Sequence, residues 1–192
     1  NSYICKLIKP KQTMNEIIKK NGITFGIILG ILGIVSQMTV YAMGGISKEN
    51  AILNSVIQFV FWAAYLTVRI IQCNKTKKEF NGFISLKELF TTLTVTIIIG
   101  ILISQSFTYL FNNFIDVEYG NTLNEFMNEQ QIVAQNAMKN FTKVTSEDLK
   151  KIAETNNFSI LNILQGTLIA FLLSSVMNLI LAAIFKKNQP VF

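Results

Sequence analysis

The sequence predicts an all-α polytopic membrane protein: four transmembrane helices in an antiparallel bundle, with amphipathic extramembrane helices between spans three and four. Three observations carry this. Hydrophobic residues make up 51% of the 192 positions and charged ones 15%, and the apolar residues are pooled into long blocks instead of being spread at the spacing of a soluble core. The first block, Gly22 to Met43, carries no charge and as a helix reaches ~30 Å, about the hydrocarbon thickness of a bilayer. Lysines stand beside the blocks and not within them, as expected of residues that set topology. The whole chain, 1–192, therefore reads as a single membrane domain.

Composition also bounds the chemistry. A net charge of +6 in a soluble protein would suggest nucleic acid. Here the lysines flank apolar spans, so membrane lipids are the expected partner and nucleic acid is not. Histidine is absent, which removes the commonest general base and the commonest metal ligand. Cys5 and Cys73 have no C-x-x-C spacing and are expected as free thiols on the reducing side.

Residues 1–21 carry five lysines against one glutamate. A signal peptide fits poorly, because the apolar run that follows is too long. Met14 opens MNEIIKKNGITFG, a natural start for an inner-membrane protein, so residues 1–13 are expected to be an upstream extension or poorly ordered. The first span, about 22–43, contains Gly22, Gly26 and Gly30. Glycines four apart share a helix face and admit another backbone closely. That face serves either as a dimerisation or partner-docking surface or as a seam against another span of the same chain.

Gly44 to Asn50 is a tight connection, which makes spans one and two antiparallel neighbours. In the second span, about 51–71, Asn54, Gln58, Trp62, Tyr65 and Arg69 fall within ~80° of one another on a helix. Polar side chains in hydrocarbon turn toward protein, so this face is expected to look inward, with Arg69 snorkelling to the headgroups or buried for function. Cys73 to Lys87 reads as a basic loop turning at Asn81-Gly82. Ser85 to Glu88 forms a capping box that opens the third span, about 89–111. That span is rich in Thr and Ile, but a strand in lipid would leave its backbone unpaired, so a helix is expected.

Residues 112–158 form the long hydrophilic segment. Thr122-x-x-Glu125 reads as a capping box. Behind it, Leu123, Met127, Ala134, Ala137, Met138 and Phe141 share a helical face, with Ile132 off it. Thr145 to Asp148 caps a shorter helix holding Leu149, Ile152 and Ala153. Two amphipathic helices are expected, either merely joining spans three and four or forming a lid or docking platform. The fourth span, about 160–185, ends in Lys186-Lys187.

The amino terminus, the Arg69–Lys87 region and Lys186-Lys187 hold twelve of the seventeen basic residues. Both termini are therefore expected in the cytoplasm and segment 112–158 in the periplasm. In that orientation Gln37, Gln58, Gln105 and Gln165 each lie about two turns from the outer end of their spans. Turned inward, they would form a hydrogen-bonded layer. Such a layer would pin helix register or line a shallow cavity for a polar solute or lipid headgroup; some of the four would otherwise be merely interfacial. No span carries an interior carboxylate, and Walker-type, G-x-S-x-G and H-E-x-x-H patterns are missing. No catalytic residue, cofactor or metal site is expected, and the chain is expected not to be an enzyme.

The segments MNEIIKKNGITFGIILGILG, NGFISLKELF and LAAIFKKNQPVF carry a resemblance from about Met14 to Phe192. The chain is similar to a bacterial four-span integral membrane family, domain of unknown function 4199. The resemblance implies four spans, a basic inner loop with a Gly-Phe-Ile-Ser turn, a long external segment and a di-lysine-like close. It brings no catalytic residue to this chain. It also implies a place beside membrane glycosyltransferases, and hence an accessory role. The chain departs from the pattern after span three, where Asp116-Val117 stands in place of Asp-Pro.

The expected function is thus a non-enzymatic accessory or scaffolding subunit of an inner-membrane complex. It would dock another membrane protein or a second copy of itself through the Gly22/Gly26/Gly30 face or the external helices. The alternative is a binding or transport protein for a small polar solute or lipid headgroup, using a glutamine-lined cavity open to the periplasm.

Overall fold

The computed structural model describes residues 13–47, 50–137 and 145–188. Helix α1, Met14–Ala42, starts two turns before the apolar block because Thr13 and Glu16 cap it reciprocally: the Thr13 hydroxyl accepts from Glu16 N at 3.4 Å and the Glu16 carboxylate from Thr13 N at 2.9 Å. Helix α2, Ala51–Glu79, runs two turns past the expected end at Ile71, so Lys75, Lys77 and Lys78 ride on the helix and not in a loop. The turn comes at Asn81-Gly82, both at positive φ, 55° and 84°. Ser85 and Glu88 then open α3, Leu86–Leu110, through the expected capping box, with bonds of 2.8 and 3.3 Å.

The structure departs from expectation after span three. A π-helical turn, Phe111–Ile115, leads straight into α4, Val117–Ala137. The expected capping box at Thr122 is absent: Thr122 lies inside α4 and its hydroxyl donates to Glu118 O at 3.1 Å. The start of α4 falls to Asp116, whose Oδ1 accepts from Tyr119 N at 2.9 Å. The widened turn folds α4 back closely; a Cβ on Gly120 would lie 2.3 Å from Asn112 O, so only glycine fits there. Helix α5, Ser146–Ala153, has the expected Thr145–Asp148 box, and α6, Ile160–Phe185, has the expected bounds. Cys5, Met138 and Phe141 lie outside the described residues, as do all of residues 1–13 except Thr13, the cap of α1.

Among the described residues, four helical segments are long and apolar enough to cross a membrane: Met14–Ala42, Ala51–Glu79, Leu86–Ile115 and Ile160–Phe185. Their most extensive mutual packing is between α1 and α3, and α6 lies along the other side of α3. The glycine row makes the first contact possible. A Cβ on Gly22, Gly26 or Gly30 would come within 2.6–2.7 Å of Val95, Ile99 and Ile103, three α3 residues that are themselves one turn apart. From the other side, Gly100 sits 3.3 Å from the Leu29 Cβ by the same measure. In lipid, dispersion contacts of this kind take the place of a hydrophobic drive.

At the lysine-bearing end, Cys73, Ile84, Leu89, Leu93, Leu181 and Ala182 form the apolar core, and Cys73 is a buried free thiol. Buried polar residues interleave with it. Asn21 Nδ2 donates to Thr76 Oγ1 at 3.2 Å and to Glu79 at 2.8 Å. Gln72 Nε2 donates to Thr96 Oγ1 at 2.6 Å, and that hydroxyl lies 3.2 Å from Gly22 O and 3.0 Å from Thr92 O. Ile84 and Lys187 exchange two backbone bonds of 2.9 Å, latching the α2–α3 turn to the end of α6. At the opposite end, Tyr41, Phe111 and Tyr119 pack edge to face with centroids 4.9–6.1 Å apart. There Asn113 Nδ2 also donates to Phe158 O at 3.0 Å.

Two outcomes follow. Gly26→Val should drive α3 away from α1 at a cost of about 1–3 kcal/mol, lowering the thermal midpoint of the detergent-solubilised protein. Because the seam is internal, that loss should be independent of protein concentration, which light scattering alongside the melt checks. Asn178, fully buried with neither amide atom hydrogen-bonded to a described residue, should behave oppositely. Asn178→Leu removes an unpaired buried amide, whose presence costs about 1–3 kcal/mol, so the melting midpoint should rise.

Candidate functional site

The polar stripe on α2 positions the site. It faces inward along the helix but is closely packed only near the two ends. Asn54 is buried and donates to Gly45 O at 3.1 Å, tying α2 to the loop before it. The same helical sector continues past the expected end of the span to Gln72 and Thr76, both 0% exposed. Between these anchors Gln58 is exposed, Trp62 is 51% exposed, and Tyr65 and Arg69 are half-buried. Asn54, Gln72, Cys73 and Thr76 are the buried residues of α2, so the helix is pinned at its ends and stands open in the middle.

The opening is a crevice of ≈ 410 Å³ between α2 and α6, floored by α1 and α3. Its polar lining is Trp62, Tyr65 and Arg69 from α2, Ser104 from α3 and Ser174 from α6; the rest is apolar side chain and Gly100. Tyr65 reaches across to α1, where a Cβ on Gly33 would come 2.8 Å from its hydroxyl. Arg69 is the only charged residue in the lining, and its buried Nε has no hydrogen-bond partner among the described residues.

A second feature stands outside the spans. Helix α4 is fastened to the end of α5 and to the link between α5 and α6 by asparagines. Asn128, 4% exposed, donates to Ala153 O at 3.2 Å and Thr155 O at 2.9 Å and accepts from Asn157 Nδ2 at 2.6 Å. Asn124 donates to Thr155 O at 3.0 Å and accepts from the Asn157 backbone N at 2.8 Å. Of the apolar face expected to carry α4, Leu123 and Met127 are half-buried but Ala134 and Ala137 are exposed, while Ile132, expected off that face, is half-buried. The clamp is polar. It joins the bundle at Asp116, whose Oδ2 accepts from the Tyr41 hydroxyl at 2.8 Å. The Tyr119 N–H and the Tyr41 hydroxyl hold the Asp116 carboxyl below its ordinary value of 3.8, and burial pushes the Tyr119 phenol up.

The glutamine layer expected from sequence does not assemble. Gln37 is half-buried and accepts from Thr108 Oγ1 at 2.9 Å. Gln105 is half-buried, Gln58 and Gln165 are exposed, and none of the four lines the crevice. Similar depth did not bring them together: Gln165 is exposed on α6, and Gln58, although on the same face of α2 as Tyr65 and Arg69, is exposed where that helix stands open. The expected partner-docking face is also corrected. Gly22 and Gly26 are buried against α3, as is Gly30, so a second protein has no access to them. The lysine-bearing end instead gathers Asn21, Gln72, Thr76, Thr92, Thr96 and Asn178 as buried polar residues, and continuing the α2 stripe by one and two turns beyond Arg69 would have found Gln72 and Thr76. Asn21 and Asn178 carried no comparable signal. Among the described residues no group of His, Cys, Asp or Glu is placed to hold a metal ion.

A family model described as "Protein of unknown function (DUF4199)" matches residues 24–187. No curated protein and no solved structure matches the chain.

The Asp116 cap sets a pH dependence. A carboxyl held below its ordinary value stabilises the folded state above that value and loses the contribution as pH falls through its folded value. Acidification below 3.8 should therefore lower the protection of the Tyr119 amide, read as its hydrogen-exchange rate relative to the free-peptide rate at the same pH. In Asp116→Asn that acid-dependent step should vanish.

Proposed function

The chain belongs to the DUF4199 family, and we propose that it serves as a non-enzymatic accessory or scaffolding subunit of an inner-membrane complex, docking through the α4–α5 cap. The observation that carries this reading is the asparagine clamp around Asn128. Ordering an extramembrane helix costs conformational entropy, and a segment that only joined two spans could remain loose. Here α4 continues from α3 through the π-helical turn and is bonded to α5, so the cap keeps a fixed orientation to the bundle. A pre-ordered surface loses little on association.

The partner is another membrane protein, for which the family resemblance suggests a membrane glycosyltransferase, or a second copy of the chain. The charge distribution supports cytoplasmic termini and a periplasmic cap, since Lys75, Lys77, Lys78 and Lys186-Lys187 share the end of the bundle that the Ile84–Lys187 latch defines. With the Gly22/Gly26/Gly30 face closed within the chain, the cap remains as the docking surface of the two first considered.

Affinity purification of the full chain from native membranes tests this. A stoichiometric membrane partner or a homodimer is expected. Asn128→Ala, which strips the Ala153 and Thr155 carbonyls of a donor, should cut recovery of that partner several-fold while leaving the α1–α3 seam intact. Recovery of the chain alone as a monomer overturns the proposal.

A further inference from the structure

Arg69 presents a problem of charge balance. Its guanidinium lines a crevice otherwise made of apolar, hydroxyl and indole groups, with no carboxylate in the lining. Its Nε is shut off from solvent and has no hydrogen-bond partner among the described residues. The two glutamates near the ends of α2 and α3 are engaged elsewhere: Glu79 accepts from Asn21, and Glu88 caps Ser85. A cation in a low-dielectric span is stable when an anion is brought to it.

We propose that the crevice binds a membrane lipid of anionic headgroup, its phosphate on Arg69 and an acyl chain laid between α2 and α6 toward the bilayer centre. Charge complementarity selects this occupant. An apolar helix seated in the crevice would leave the guanidinium unpaired, whereas a phosphodiester offers the oxygens that its forked donors match. Depth agrees. Arg69 is six residues from Lys75, ~9 Å along the helix, so it lies just beneath the lysines and within reach of a headgroup drawn inward. Lys75 does not compete for the site, because its ammonium sits over the Phe25 ring at 5.4 Å. Beyond Arg69, toward mid-span, Leu66, Ile101 and Leu173 offer apolar surface to a chain beside Trp62, Tyr65 and Ser104. The crevice opens sideways because α2 and α6 touch little, and its ≈ 410 Å³ is in the range of small-molecule sites.

The test uses the full chain in nanodiscs of equal phosphatidylglycerol and phosphatidylcholine, extracted into detergent and weighed with its retained lipid by native mass spectrometry. Phosphatidylglycerol should be retained over phosphatidylcholine, and Arg69→Gln should lower that retention about tenfold, the effect of losing one charge-assisted contact. Lys75→Gln should leave it unchanged. Should Arg69→Gln not fold, Arg69→Lys carries the test, since the point charge without the fork should hold the lipid several-fold less well. Equal retention by the wild type and the Arg69 variant that folds overturns the proposal, as does equal retention of the two lipids. In a parallel arm, phosphatidylcholine discs receive inorganic phosphate. An Arg69-dependent phosphate adduct there, with no preference for phosphatidylglycerol in the mixed discs, overturns the lipid assignment in favour of a free anion. These readouts do not involve the cap, so they stand or fall apart from the accessory role.

Discussion

The fold depends on how closely α1 and α3 approach. Inside a bilayer, apolar side chains gain nothing from leaving water, because the surrounding lipid is as apolar as they are. What remains is contact area, and contact area grows only if two backbones come near. Gly22, Gly26 and Gly30 remove the side chains that would hold α3 off, and Val95, Ile99 and Ile103 fill the space. Thr96 adds a polar stitch at the same seam through Gly22 O. With this pair in place, α6 lies along the far side of α3, and α2 is left to be attached at its ends.

The attachment of α2 explains why the protein has a crevice at all. A helix bonded near Asn54 at one end and near Gln72 and Thr76 at the other is held in place without a close-packed middle. Its central residues are large and amphipathic, Trp62, Tyr65 and Arg69, where the α1–α3 seam has glycine. Bulk there keeps α2 at a distance, and the polar groups on that bulk line the gap.

The architecture was legible from sequence because each span is long, uncharged but for Arg69, and bracketed, and the capping boxes at Ser85 and Thr145 are local signals that the structure bears out. The family match agrees with the resemblance read from the turn and terminal segments. What stayed hidden was direction. Four glutamines at similar depth suggested a layer, but depth is a property of distance along a helix, whereas facing depends on which neighbour it meets. Gln58 and Gln165 are exposed, and of the four only Gln37 is bonded to a hydroxyl on another span. The glycine row announced a close approach without saying to what. Thr122 mimicked a helix start because the π-helical turn that lets Asp116 do that work leaves little trace in residue type. The α2 stripe was the most informative pattern, and it was cut short at Ile71, where lysines suggested water although the helix continued.

The backbone bridge between Ile84 and Lys187 has a temporal consequence. Its two halves are separated in the chain by α3, the whole external segment and α6, so during synthesis the α2–α3 hairpin is threaded into the bilayer long before its tether exists. Until α6 is laterally released beside α3, the apolar cluster around Cys73 lacks Leu181 and Ala182 and stays open on one side. Closing the bridge therefore requires α6 to be in place, and a chain stalled before α6 would leave its lysine-bearing end unsealed.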